Sequence, residues 1–216
     1  SLIENLTKYF GFTSFRETQE KIIKGALKSY DQLVILPTGS GKSICYQLPA
    51  LINDGYTIII SPLKSLIKDQ IINLENKSIK SVAIYGDISM KCKNEIYSSI
   101  LSNKADFKII YTTPETLDKS IEFLNCINHM IKNNKLNRFV IDEAHCISLW
   151  GNDFRSSYRN LTSLKKYFKD IPIMALTATA TLQVRKDIVH LLRFKKYRQY
   201  TKSYFRDNLN IKILYK

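Results

Sequence analysis

The sequence predicts an α/β domain, three layers deep, with a mainly parallel central sheet. Two observations carry this. Short apolar runs alternate with helical patterns along all 216 residues, and most of these runs are apolar throughout, as in strands covered on both faces. A third observation places a ligand. The stretch LVILPTGSGKS, residues 33–43, reads as a buried strand turning through a glycine-rich loop into a helix. That arrangement wraps backbone N–H groups around phosphates.

Taken in order, residues 2–9 are apolar at helical spacing and Gly11 ends them. Ser14, three before Glu17, predicts a capping box for a helix running to about Ser29. Phe12, Arg16 and Gln19 then share one side of that helix start. The Gln19 amide suits an adenine edge, with Arg16 or Phe12 over the base; an amphipathic helix with a solvent-facing Arg and Gln fits the same letters. After the phosphate loop a helix is expected from Lys42 to Ala50, ending near Pro49. Residues 56–60 form a strand, and SPLKSLIKDQ opens a helix with Leu63, Leu66, Ile67 and Ile71 as its buried stripe. Asp69 and Gln70 are placed to hold the loop or touch a ligand. A strand at 81–85, a helix at 90–101 and a strand at 107–111 follow. The last ends in TTPE, where the hydroxyls of Thr112 and Thr113 suit a phosphate contact or a plain capped turn. A helix over 121–132 leads to the central strand 139–141. LKKYFK, 164–169, ends the next helix, 171–176 is the last core strand, and 182–192 closes the repetition as a helix.

Within the loop, Thr38, Gly39, Ser40, Gly41, Lys42 and Ser43 are the phosphate-binding candidates. Lys42 neutralises β/γ-phosphate oxygens and Ser43 ligates Mg²⁺. The stricter form of the motif has glycine where this chain has Leu36. Asp142 and Glu143 end the central strand about 100 residues on. One carboxylate can position the Mg²⁺ (Asp142) and its neighbour can orient and deprotonate water (Glu143). Together the two motifs predict a P-loop NTPase, and no guanine-reading motif is present. His145 is read as a coupling residue rather than a metal ligand, and His129 and His190 as structural.

The composition is compatible. The 33 Lys+Arg against 19 Asp+Glu give +14, which a polyanion partner would explain, although solubility or genome composition would too. No 18-residue apolar run is present, so no membrane span and no membrane partner are expected. No signal peptide is visible at SLIENLTKYF, and Cys45, Cys92, Cys126 and Cys146 show no CxxC pairing, as in a reduced intracellular protein.

Six segments in family order, FGFTSFRETQ, LPTGSGKSICYQLPA, IISPLKSLIKDQ, YTTPE, DEAHCISLWGNDFR and ALTATA, resemble the first RecA-like lobe of a RecQ-family DNA helicase of superfamily 2. ICYQLPA and the tryptophan-containing loop are the specific parts, since DEAH alone is shared with RNA helicases. The resemblance implies a RecA-like lobe over residues 31–202, preceded by adenine-recognition helices over 1–30. Residues 203–216, where SYFRDNL resembles the family junction with Asp207 in place of proline, begin the connection to a second lobe. It implies ATP and Mg²⁺ as ligands, with adenine read by Arg16 and Gln19. Trp150, Phe154 and Arg155 sense single-stranded DNA, Ser61, Lys64 and Thr113 contact the strand, and His145, Thr177 and Thr179 link ATP state to DNA engagement. The plain alternatives are a core Trp150 and a helix-capping role for Thr177 and Thr179. Asn152 stands where the family commonly has histidine, and RSSY lacks a usual proline. The implied partners are single-stranded and duplex-junction DNA and a second RecA-like lobe, the implied activity 3′-to-5′ unwinding in repair and recombination, and the location the nucleus, or the cytoplasm in a bacterium. An RNA helicase lobe and a non-catalytic nucleic-acid-binding module are the competing expectations.

Overall fold

The computed structural model describes residues 1–151 and 153–202. Helices α1 (Leu2–Phe10) and α2 (Gln19–Leu27) precede strand β1 (Asp31–Ile35). Alternation then runs α3 (Lys42–Ile52), β2 (Tyr56–Ile60), α4 (Lys64–Glu75), β3 (Ser81–Ile84), α5 (Met90–Leu101) and β4 (Ile109–Thr112). Helices α6 (Pro114–Lys119) and α7 (Ile121–Lys132) lead to β5 (Leu136–Ile141). A 3₁₀ turn (Ala144–Ile147), α8 (Ser156–Arg159), a second 3₁₀ turn (Asn160–Ser163) and α9 (Leu164–Tyr167) carry the chain to β6 (Ile173–Thr177), then α10 (Leu182–Leu191) and β7 (Tyr197–Thr201). The strands form one sheet in the order β3-β4-β2-β5-β6-β1-β7, and every pairing is parallel.

Strand periodicity divides the core. Leu33, Ile35, Ile58, Ile60, Phe139 and Ile141 face one side with residues of α5, α7 and α10, while Val34, Ile59, Tyr111, Val140 and Met174 face the other with α1 to α4. Both faces of the sheet are thus covered, which is why its strands are apolar throughout. The parallel pairing aligns the carboxyl ends of all strands on one rim. Among the described residues no helix is long and apolar enough to cross a membrane.

Several expected boundaries move. The capping box forms at Ser1 and Glu4 rather than at Ser14 and Glu17. Helix α2 starts only at Gln19, whose Oε1 accepts the Arg16 N–H at 2.9 Å, and residues 13–18 before it are not helical. Pro49 lies inside α3 rather than at its end. Its carbonyl accepts the Asn53 N–H at 3.0 Å, and burial of the last turn offsets the one donor the ring removes. On α4 the buried positions are Ile67 and Leu74, while Leu63 precedes the helix and is exposed. Residues 156–167 are two short helices around a 3₁₀ turn rather than one helix. Strand β7 is an addition, because its mixed polar and aromatic letters carry no apolar run; it pairs with β1 from Asp31↔Tyr197 to Ile35↔Thr201.

The division of the core predicts that Phe139→Ala, in the centre of the sheet, lowers the unfolding free energy by about 3–5 kcal/mol. Ile121→Ala, at an exposed helix start, should change it by less than about 0.5 kcal/mol in the same urea titration. Equal losses would contradict this core.

Candidate functional site

Beyond Ile35 the chain stays in the sheet for one more residue: the buried Leu36 donates its N–H to Thr177 O at 3.1 Å. This explains the missing glycine, because the loop turns only after Pro37. Ser40 folds back, its N–H and hydroxyl both donating to Pro37 O, at 3.2 and 2.5 Å. Gly39 and Gly41 adopt φ of 78° and 79°, and a Cβ on Gly41 would collide with Gln19 Nε2. Gly41 caps α3, so the free N–H groups of the helix start face the loop interior. Lys42 Nζ donates to Leu36 O at 3.1 Å.

Arg16 and Gln19 strap this loop. Arg16 Nη1 donates to Gly39 O, and Gln19 Nε2 donates to Gly41 O at 3.1 Å. Phe12, Arg16, Gln19, Thr38, Lys42, Ser43, Asp142 and Glu143 line one cleft of about 430 Å³. Ser40 is not part of its lining.

Asp142 follows β5 directly. Its N–H donates to Ile60 O at 2.9 Å, and its carbonyl accepts the Tyr158 hydroxyl at 2.8 Å. Its carboxylate accepts the Glu143 N–H at 3.0 Å. Burial, then the Glu143 charge, raise its pKa to about 6, opposed by the Glu143 N–H and by Lys42. An enclosed carboxylate beside a serine hydroxyl and a lysine is a hard-oxygen donor set with nearby positive charge, which fits Mg²⁺ and a phosphate chain.

Glu143 sits in the left-handed region at φ 49°, a strained backbone held by its neighbours. Its Oε2 lies 3.3 Å from His145 Nδ1, and that nitrogen lies 2.8 Å from Thr177 Oγ1. The Thr177 hydroxyl donates to Thr179 O at 3.0 Å, so its oxygen is left to receive the Nδ1 proton. The carboxylate pair and the turn after β6 are therefore joined through His145. Helix α10 is capped by Thr181, which accepts the Val184 N–H at 3.3 Å; Thr177 and Thr179 do not cap it.

The loop behind the carboxylates is pinned at its base and open at its tip. Ser148 Oγ donates to Asp187 on α10 at 2.5 Å and accepts the Trp150 N–H at 3.1 Å. Trp150 is 74% exposed and Leu149 60%, so Trp150 is not a core side chain. Arg159 stands over the Phe154 ring, 5.8 Å from its centroid. Arg155 donates from Nη1 to Pro62 O at 3.2 Å, tying this loop to the segment before α4. Asn152 and the junction letters 203–209 lie outside the described residues.

The remaining expected residues lie on the same rim but outside the cleft. Ser61 is buried and its hydroxyl has no partner among the described residues. Lys64 pairs with Asp87 at 2.7 Å. Thr113 faces Thr116 at 3.1 Å, and Thr112, expected at a phosphate contact or in a capped turn, is buried and donates to Ile84 O at 2.7 Å. Three contributors escaped the sequence reading: Tyr158 beneath Asp142, Asp187 beneath the tryptophan loop, and Tyr46 in the cleft wall. Tyr46 had a signal, since ICYQLPA stood out but received no role; the other two are single letters in ordinary helices.

The DEAD/DEAH box helicase family model matches residues 16–188. The chain is 42% identical over 207 residues to the RecQ-like DNA helicase BLM of Xenopus laevis, covering 96% of this chain and 15% of that protein. It is 41% identical over 204 residues to the ATP-dependent DNA helicase RecQ of Haemophilus influenzae, covering 94% and 32%. Among solved structures, the DUF1998 helicase MrfA bound to DNA and AMPPNP superposes with a TM-score of 0.72 at 22% identity, over 94% of this chain and 29% of that one.

The raised Asp142 pKa predicts a pH-dependent penalty. The folded state holds this proton up to about pH 6 and the unfolded state only to 3.8, so stability is lost as pH rises through that window. Asp142→Asn should stabilise the nucleotide-free protein by up to about 3 kcal/mol at about pH 8 and by much less at about pH 4.5, measured by urea unfolding. An equal difference at both pH values would contradict it.

Proposed function

Since the chain belongs to the DEAD/DEAH box helicase family, we propose that it is the ATP-binding, DNA-coupling lobe of a 3′-to-5′ DNA helicase of the RecQ type, acting in repair and recombination. The observation that carries this reading is the hydrogen-bonded rim running from Glu143 through His145 to Thr177, with an exposed Trp150 on the loop directly behind it. The relatives named as DNA helicases favour DNA over RNA as the polymer. The chain spans 15% and 32% of those two relatives, and we assign a second RecA-like lobe to the parent protein.

In this mechanism the N–H groups of Gly39 to Ser43 cradle the ATP phosphates, and Lys42 exchanges Leu36 O for a phosphate oxygen. Ser43 and Asp142 would hold Mg²⁺, which would neutralise the charge of the terminal phosphates. Arg16 and Gln19 recognise the adenine edge while keeping the loop in place. Glu143 orients the attacking water and takes its proton, and its contact with His145 passes the change of charge to Thr177. Trp150 and Phe154 stack on unpaired bases while Arg155 carries the loop's position to Pro62. Lys64 faces the strand's backbone, the buried Ser61 and Thr113 hold the segments that meet it, and Thr179 moves with Thr177. The second lobe closes the site and supplies the cation that stabilises the transferring phosphoryl group. Location follows the owner, nuclear in a eukaryote and cytoplasmic in a bacterium.

In the full-length protein, single-stranded DNA should stimulate ATP hydrolysis more than RNA of equal length. Glu143→Gln should lower kcat by about 10²–10⁴-fold with Mg·ATP affinity retained. The 216-residue chain alone should not unwind duplex DNA. Stronger stimulation by RNA would favour an RNA helicase lobe, and full turnover in Glu143→Gln would remove the base assignment.

A further inference from the structure

The stretch ICYQLPA turns two polar side chains inward at the start of α3. Tyr46 and Gln47 are only 2% and 4% exposed. The Gln47 carboxamide donates to the Tyr111 hydroxyl at 3.1 Å and to Gln70 Oε1 at 3.0 Å. Tyr111, 1% exposed, is the residue before the end of β4, just ahead of the TTPE turn, and Gln70 lies on α4 behind the SPLK segment. Tyr46 stands one helical turn from Ser43, lines the cleft with it and shares a buried cluster with Tyr111, so its hydroxyl interacts with both of theirs. A polar network therefore begins at Ser43, in the nucleotide cleft, and branches to the two segments that open with Ser61 and Thr113.

Its chemistry suits transmission. The network is embedded in the apolar cluster beneath α3, where an unmade hydrogen bond is costly, so displacement of one member is passed to its partners instead of being absorbed by water. A Ser43 hydroxyl whose oxygen holds a cation must point its hydrogen elsewhere, and the Tyr46 oxygen is the adjacent acceptor. Cation occupancy thus fixes a hydroxyl that otherwise rotates, and the order extends through Tyr46 to Tyr111, whose oxygen also receives Gln47.

We propose that Gln47 and Tyr111 are positioning residues in a buried relay from Ser43 to the strand-contacting segments before α4 and after β4, a second coupling route beside the tryptophan loop. The relay rests on the helicase reading above. It differs from the His145 route in lying on the opposite face of the sheet, under α3 and α4.

The test uses the full-length protein with Gln47→Met and Tyr111→Phe, the latter losing a single oxygen. Oligothymidylate is the DNA probe, and its affinity is measured by anisotropy with and without a non-hydrolysable ATP analogue. Basal KM for ATP should stay within about twofold, while the ratio of DNA-stimulated to basal hydrolysis falls about fivefold. The effect of the analogue on oligothymidylate affinity should shrink by a similar factor. A Tyr111→Phe protein matching wild type in both the stimulation ratio and the analogue effect overturns the relay, even if Gln47→Met fails to fold. A wild-type protein that DNA does not stimulate overturns the helicase reading itself, and the relay with it.

Discussion

The hydrogen bond between His145 and Thr177 depends on β5 and β6 being neighbours in the sheet, and the site depends on that bond. Parallel pairing of Phe139 with Ile173 through Ile141 with Ala175 brings the turn after β5 beside the end of β6. The left-handed backbone at Glu143 then turns the chain so that His145 reaches Thr177 at 2.8 Å. Without this register the carboxylate pair would close one wall of the cleft and have no connection to the turn after β6.

Electrostatics gives the cleft its preference. Asp142 is enclosed by β5, Tyr158 and the Glu143 backbone, and its raised pKa reflects a charge without adequate solvation. A divalent cation would relieve that penalty, and Lys42 offsets only part of it. Among the described residues most ion pairs are exposed, as at Lys64–Asp87 and Lys135–Asp54, and contribute little to stability. The excess positive charge of the chain is a more general attraction for a polyanion and does not define a site.

The sequence is most legible where chemistry requires a particular residue in a particular backbone state. Gly39 and Gly41 take the positive φ that the loop needs, and Asp142 and Glu143 stand at a strand end, so both walls of the cleft are legible in the sequence. The apolar strands β2, β5 and β6 were equally plain. Legibility fails where tertiary contacts decide. Gln19 shortens α2 by bonding Arg16, the packing around Pro49 overrides its helix-breaking habit, and β7 is a strand only because β1 offers it an edge. Thr112 illustrates the same limit: a hydroxyl in a phosphate-like motif is spent on Ile84 O, a partner no local pattern announces.

Trp150 is the sole tryptophan of the chain, so its emission reports on the loop directly. Binding of a Mg²⁺-bound ATP analogue to the 216-residue chain, followed in parallel by a fluorescent nucleotide, should shift that emission. Thr177→Val should abolish the shift while leaving nucleotide binding intact. Saturation of the cleft with no change in Trp150 emission in the unsubstituted chain would contradict a rim that joins nucleotide to loop.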